Sequence, residues 1–183
     1  MSLLNSTLIL LAALIGVYLE CAFDGFRHWF GAQINLLPPL IVYAALRSNV
    51  ATMASLAFVG GLAFDSLSIN PLGISILPLF VVGFFVYIRR GLILQDQFYA
   101  QFVIGTVASA VVPLLTLLML LSSRRSPIIG WGSLWQWIVV SAGGGLMTPV
   151  CFWFFNLLNN ALSYRPVLQN SFRDDREIRR GRK

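Results

Sequence analysis

Apolar residues run through this chain in long blocks, and polar positions fall almost wholly between them. The blocks cover residues 3–23, 34–46, 50–69, 74–88, 97–121 and about 132–163. The stretch 24–33, DGFRHWFGAQ, reads as an amphipathic connector. The second block is the weak one. It has about 13 residues, roughly 20 Å of helix, and carries Pro38-Pro39 near its start. It reads as a short span helped by the connector, or as a half-helix covered by its neighbours. Arg47-Ser48-Asn49 separates it from the third block. Asn70-Pro71-Leu72-Gly73 predicts a tight turn after the third. Pro149, just after Gly143-Gly144-Gly145, predicts a kink in the sixth.

A spanning helix needs about 20 mostly apolar residues. The pattern therefore predicts an all-α integral membrane protein, a single bundle of about six transmembrane helices over residues 1–163. Residues 164–183 read as a basic, disordered cytoplasmic tail. The N-terminus has no Lys or Arg ahead of its apolar run, so the first block is expected to stay as an anchor rather than act as a cleaved signal.

Composition removes the soluble alternative. Of 183 residues, 57% are hydrophobic and 11% charged, against about 25% charged in a typical soluble domain. A chain this short has too much surface to hide the difference in a core. Disorder is excluded by the high hydrophobicity. The net charge of +6 is divided unevenly, with residues 1–163 at +2 and the tail at +4. That basic excess reads as cytoplasmic retention and attraction to membrane lipids, with no nucleic-acid role. Inner loops would carry Arg47, Arg89 and Arg90, and outer loops Arg27, Arg124 and Arg125. The tail breaks the tie and puts the C-terminus in the cytoplasm, with the N-terminus also inside if the second block spans and outside if it does not. Tyr18, Trp29, Trp131, Trp135 and Trp137 then form an outer aromatic belt, and Tyr43, Tyr87, Tyr99 and Tyr164 an inner one.

Four pairs place two small residues on one helix face: Ala12 with Gly16, Ala57 with Gly61, Gly105 with Ser109, and Ser141 with Gly145. Such faces let backbones approach in lipid. They serve either packing within the bundle or docking of another protein's helix. In the tail, Arg173, Arg176, Arg179, Arg180, Arg182 and Lys183 make a strip for lipid or for a soluble partner.

Reactive groups are few. His28 is the one histidine, and Cys21 and Cys151 are too far apart for a metal spacing. No acidic pair or phosphate-binding loop appears, so no cofactor and no catalytic set is expected. Glu20 lies near the outer end of the first block and is expected to snorkel, while Asp24 and Asp96 fall in connectors. Asp65 stands out, because it lies inside an apolar stretch where an ionisable group is costly without a partner. It is expected to bond backbone or hydroxyl groups near the following turn, to take part in proton or ligand binding, or to meet a partner.

Two stretches carry a resemblance. One is Asn35-Leu-Leu-Pro-Pro-Leu-Ile-Val-Tyr-Ala-Ala-Leu-Arg47. The other is Gly61-Leu-Ala-Phe-Asp65-Ser-Leu-Ser-Ile-Asn-Pro71-Leu72-Gly73. A glycine, an Asp four residues later, then Pro-Leu-Gly after a short gap resembles the rod shape-determining protein MreD family over about residues 34–90. The resemblance implies a non-enzymatic scaffold of the bacterial cell-elongation complex, in the cytoplasmic (inner) membrane. The implied partners are the bitopic protein MreC, the glycosyltransferase RodA with its class B penicillin-binding transpeptidase, and MreB filaments. It also implies a fold similar to the substrate-binding subunit of energy-coupling-factor transporters. On that reading Gly61, Asp65, Pro71, Leu72 and Gly73 shape the turn between the third and fourth segments. The competing reading is the substrate-binding membrane subunit of a small-molecule, vitamin-type transporter, with an outward pocket lined by Asp65, Ser66 and Ser68.

Overall fold

A computed structural model of the chain describes residues 3–22, 35–68, 71–93, 97–122 and 131–162. Among these residues it is all-helical: α1 (Leu3–Ala22), α2 (Leu37–Arg47), α3 (Val50–Leu67), α4 (Ile76–Arg89), α5 (Phe98–Ser122) and α6 (Trp131–Leu162). Val50–Leu67, Phe98–Ser122 and Trp131–Asn160 are long and apolar enough to cross a membrane. The helices fall where the apolar blocks predicted them, within a few residues.

The weak second block becomes the centre of the molecule. All ten residues Leu37–Leu46 are buried, and α2 contacts each of the other five helices. A helix apolar on every side belongs in such a place. Eleven residues reach only about 16 Å, roughly half the hydrocarbon thickness of a bilayer. Its neighbours cover it on every side.

Burying a helix start leaves its first backbone N–H groups without intrahelical acceptors. The residues at this end deal with each one. Leu36 N–H donates to Glu20 Oε1 at 2.8 Å, and Leu37 N–H to Asn35 Oδ1 at 2.9 Å. Pro38 and Pro39 have no N–H to satisfy, and their fixed φ suits a first turn. Leu40 N–H then reaches the Leu36 carbonyl. Glu20 is thus buried and capping the neighbouring helix, not snorkelling as expected.

Although short, α2 reverses the chain. Glu20, near the end of α1, meets the start of α2. Ser6, near the start of α1, hydrogen-bonds Thr52, near the start of α3, at 2.9 Å. Helices α1 and α3 therefore run in the same direction, with α2 returning between them.

At the far end of α2, Tyr43 is 1% exposed. It stacks on Phe155 at 4.4 Å between centroids and meets Phe152 edge-on at 5.0 Å. This corrects its assignment to an interfacial belt. Tyr18, Tyr99, Trp131, Trp135 and Trp137 do stand exposed, whereas Trp29 and Tyr164 lie outside the described residues. Pro113 and Pro149 each sit inside an unbroken helix.

Candidate functional site

Asp65 lies two residues before the end of α3 and is 2% exposed. Its carboxylate closes on the N-cap residue of α4. Oδ2 accepts the Ser75 N–H at 3.0 Å, and Oδ1 accepts the Ser75 hydroxyl at 2.5 Å. One side chain thus satisfies a helix-start donor and binds the two helices together.

The rest of the resembling stretch serves the same hairpin. Gly61 is one turn before Asp65 and on the same face. A Cβ there would stand 3.1 Å from Ile76 Cα, so glycine is what lets the start of α4 lie against α3. Gly73 takes φ +88°, a conformation an L side chain resists. The Pro71 carbonyl accepts Ile74 N–H and the Gly73 carbonyl accepts Ile76 N–H. Leu72 is 72% exposed and projects from the turn. Asn70 lies outside the described residues.

The eight residues of the four small pairs are mostly committed within the chain. A Cβ at Gly105 would overlap Thr148, one at Gly144 would overlap Ser109, and one at Gly145 would overlap Thr106. Here α5 and α6 meet at backbone distance. Ser141 is buried and donates to the Trp137 carbonyl at 2.7 Å. Gly16 faces Leu36 and Leu40, and Ala57 is buried in the core. Ala12 packs half-buried against it. Internal packing thus occupies most of these positions. Gly60 and Gly83, which the four-residue spacing missed, do similar work against Leu37 and against Ile41 with Met53. Their signal was position opposite α2, which spacing along one helix does not carry.

The sequence reading placed an outward pocket around Asp65, Ser66 and Ser68. Asp65 is turned to Ser75, and the Ser66 hydroxyl donates to the Ala63 carbonyl on an exposed face. A cavity of about 290 Å³ is lined by Asn35, Phe64, Ser75, Leu79, Thr116 and Gln136, among others. A second space of about 460 Å³ lies between α4 and α5 and is walled by apolar groups such as Val82, Phe85, Val107 and Val111, with Arg89 at one end.

No three His, Cys, Asp or Glu gather as a metal set among the described residues. His28, Asp24, Asp96 and the tail strip Arg173, Arg176, Arg179, Arg180, Arg182 and Lys183 lie outside the described residues. Cys151 is a free thiol, half-buried on α6. In comparisons with protein-family models, curated proteins and solved structures, nothing matches this chain.

Proposed function

We propose that this chain is a non-enzymatic membrane scaffold of the MreD type, serving bacterial cell elongation and peptidoglycan synthesis. The observation that carries the reading is the α3–α4 hairpin. Gly61, Asp65, Pro71 and Gly73, through which the sequence resembles that family, all lie at the joint of α3 and α4, where Asp65 holds Ser75 and Gly61 admits Ile76. On this reading the bundle sits in the cytoplasmic membrane as a six-segment unit with both termini inside. Its fold would be similar to the substrate-binding subunit of energy-coupling-factor transporters.

The reading needs a surface for the spanning helix of MreC. With the small-residue faces filled internally, the open apolar face between α4 and α5 takes that place. It offers Val81, Phe85, Val103 and Val107 to a neighbouring helix. RodA, the penicillin-binding transpeptidase and MreB would join through the same assembly.

The test is affinity purification of the tagged full chain from native membranes in mild detergent, with mass spectrometry of what accompanies it. A coiled-coil bitopic protein together with cell-wall synthases is expected. Cysteines placed at Phe85 and Val107 should then cross-link to that protein's spanning helix. Recovery of ATPase subunits in their place would overturn the scaffold reading in favour of a transporter subunit.

A further inference from the structure

The three arginines among the described residues lie at one end of the bundle. Helices α1 and α3 run one way and α2 runs back between them, so Arg47, the last residue of α2, is at the end where α1 and α3 begin. Helix α4 turns back at the Asp65–Ser75 joint, and a Cβ on its Gly83 would press on Ile41 and Met53. Arg89 and Arg90, closing α4, therefore reach the same end as Arg47. Both are exposed, yet rings hold them to the helix surface. The Arg89 guanidinium sits over Phe85 at 5.8 Å from the centroid, and that of Arg90 over Tyr87 at 4.2 Å.

A second observation concerns shape. Arg89 itself lines the groove of about 460 Å³ between α4 and α5. From Arg89 the groove runs along α4 to Val81, a rise of about 12 Å. Val103, Val107 and Val111 of α5 form the other wall. That length is close to one leaflet's share of the hydrocarbon core, about 15 Å of about 30 Å, and well short of a spanning helix. Phe85 ties the two observations together, because it both carries Arg89 and lines the groove. A basic mouth on an apolar channel one leaflet deep matches a lipid with its head at the end of the bundle and a chain along the helices.

We propose that this chain binds one anionic phospholipid at this site. Its phosphate rests against the guanidinium of Arg89, with Arg90 adding charge beside it, and one acyl chain lies between α4 and α5 against Phe85 and Val107. The planar guanidinium offers paired donors to phosphate oxygens. A free phosphate ester would use the arginine and leave the groove empty, whereas a lipid uses both. The inference does not rest on the scaffold reading. That reading gives the same face to a partner's helix, and the lipid holds it in the isolated chain and gives way on assembly.

The test is native mass spectrometry of the full chain in mild detergent, titrated with dioleoyl phosphatidylglycerol, with dioleoyl phosphatidylcholine and glycerophosphate as comparison probes. Saturable binding of one phosphatidylglycerol is expected, about fivefold tighter than phosphatidylcholine, with no competition from glycerophosphate. Arg89→Gln should weaken it about fivefold, the worth of one arginine near an anionic membrane surface, and Arg89→Lys should recover part of the loss. Val107→Trp, at an exposed position, should fill the groove and weaken both phospholipids. Thermal unfolding of each variant is recorded alongside, and Arg179→Gln with Arg180→Gln in the tail should leave the preference unchanged. Equal binding of the two phospholipids would overturn the anionic-head assignment. Competition by glycerophosphate would overturn the lipid in favour of a phosphate site with no use for the groove. A preference lost only in the tail variant would assign it to the tail's charge and remove the site. Unchanged affinity in both Arg89→Gln and Val107→Trp, with folding intact, would remove it as well.

Discussion

The Ser109 side chain occupies the space that a Cβ on Gly144 would need. Ser109 is fully buried on α5, and Gly144 faces it from α6. One turn along, Gly105 gives way to Thr148 in the opposite sense, so bulk and its absence alternate across the contact. In lipid, where transfer from water does not drive helices together, such close packing is the main attraction between them.

Gly144→Ala is therefore expected to destabilise the bundle by about 1–3 kcal/mol through overpacking. Adding Ser109→Gly should restore most of the loss, because it vacates the contested volume. Gly132→Ala, where a Cβ meets nothing within 4 Å, should be neutral or stabilise by about 0.5–1 kcal/mol. Thermal unfolding in a single detergent would compare the three. Failure of the double variant to recover would show that the α5–α6 contact does not depend on this exchange.

The Asp65–Ser75 clamp makes a sharper case. Asp65→Ala leaves two buried donors of Ser75 without an acceptor, and an orphaned donor costs about 1–3 kcal/mol. Ser75→Ala should cost less, since the N–H bond to the carboxylate survives. The two substitutions together should fall short of their sum by at least about 0.5 kcal/mol, the mark of groups that touch. Additive losses would mean the two residues act separately.

Glu20 tests the start of α2. Glu20→Gln keeps an oxygen for Leu36 N–H and should leave stability nearly unchanged. Glu20→Ala should lower it by about 1–3 kcal/mol, and Asn35→Ala by about 0.5–2 kcal/mol as a lost cap. Denaturation in mixed micelles would rank them. Equal losses for Glu20→Gln and Glu20→Ala would show that the charge, not the cap, is what matters.

Tyr43 separates ring from hydroxyl. Removing the ring in Tyr43→Ala opens a cavity against Phe152 and Phe155 and should cost about 3–5 kcal/mol. Tyr43→Phe keeps both ring contacts and should cost under about 1.5 kcal/mol. The same unfolding measurement on the pair would distinguish packing from hydrogen bonding.

Much of this was legible in the chain. Each apolar block became a helix, and Asp65 stood out because an acid inside such a block needs a partner. Its partner was not legible. Ser75 is ten residues away, and only the turn through Gly73 brings it back. The small pairs Gly105 with Ser109 and Ser141 with Gly145 were visible as faces, but spacing within one helix does not say what fills it. Tyr43 and Glu20 were misplaced for one shared reason. Both were assigned from what the residue type does at a membrane surface, whereas α2 draws them into the interior. The polar lining of the cavity escaped notice because Asn35, Ser75, Thr116 and Gln136 share no spacing and are united only by the fold.

The enclosed position of α2 also constrains how the protein is made. A segment of about 16 Å cannot rest across a bilayer by itself, and its faces find their partners on helices synthesised both before and after it. Its cover is complete only when α5 and α6 have been added. The last helices of the chain thus complete the burial of its second, and a ribosome stalled after α4 would leave that helix without its full enclosure.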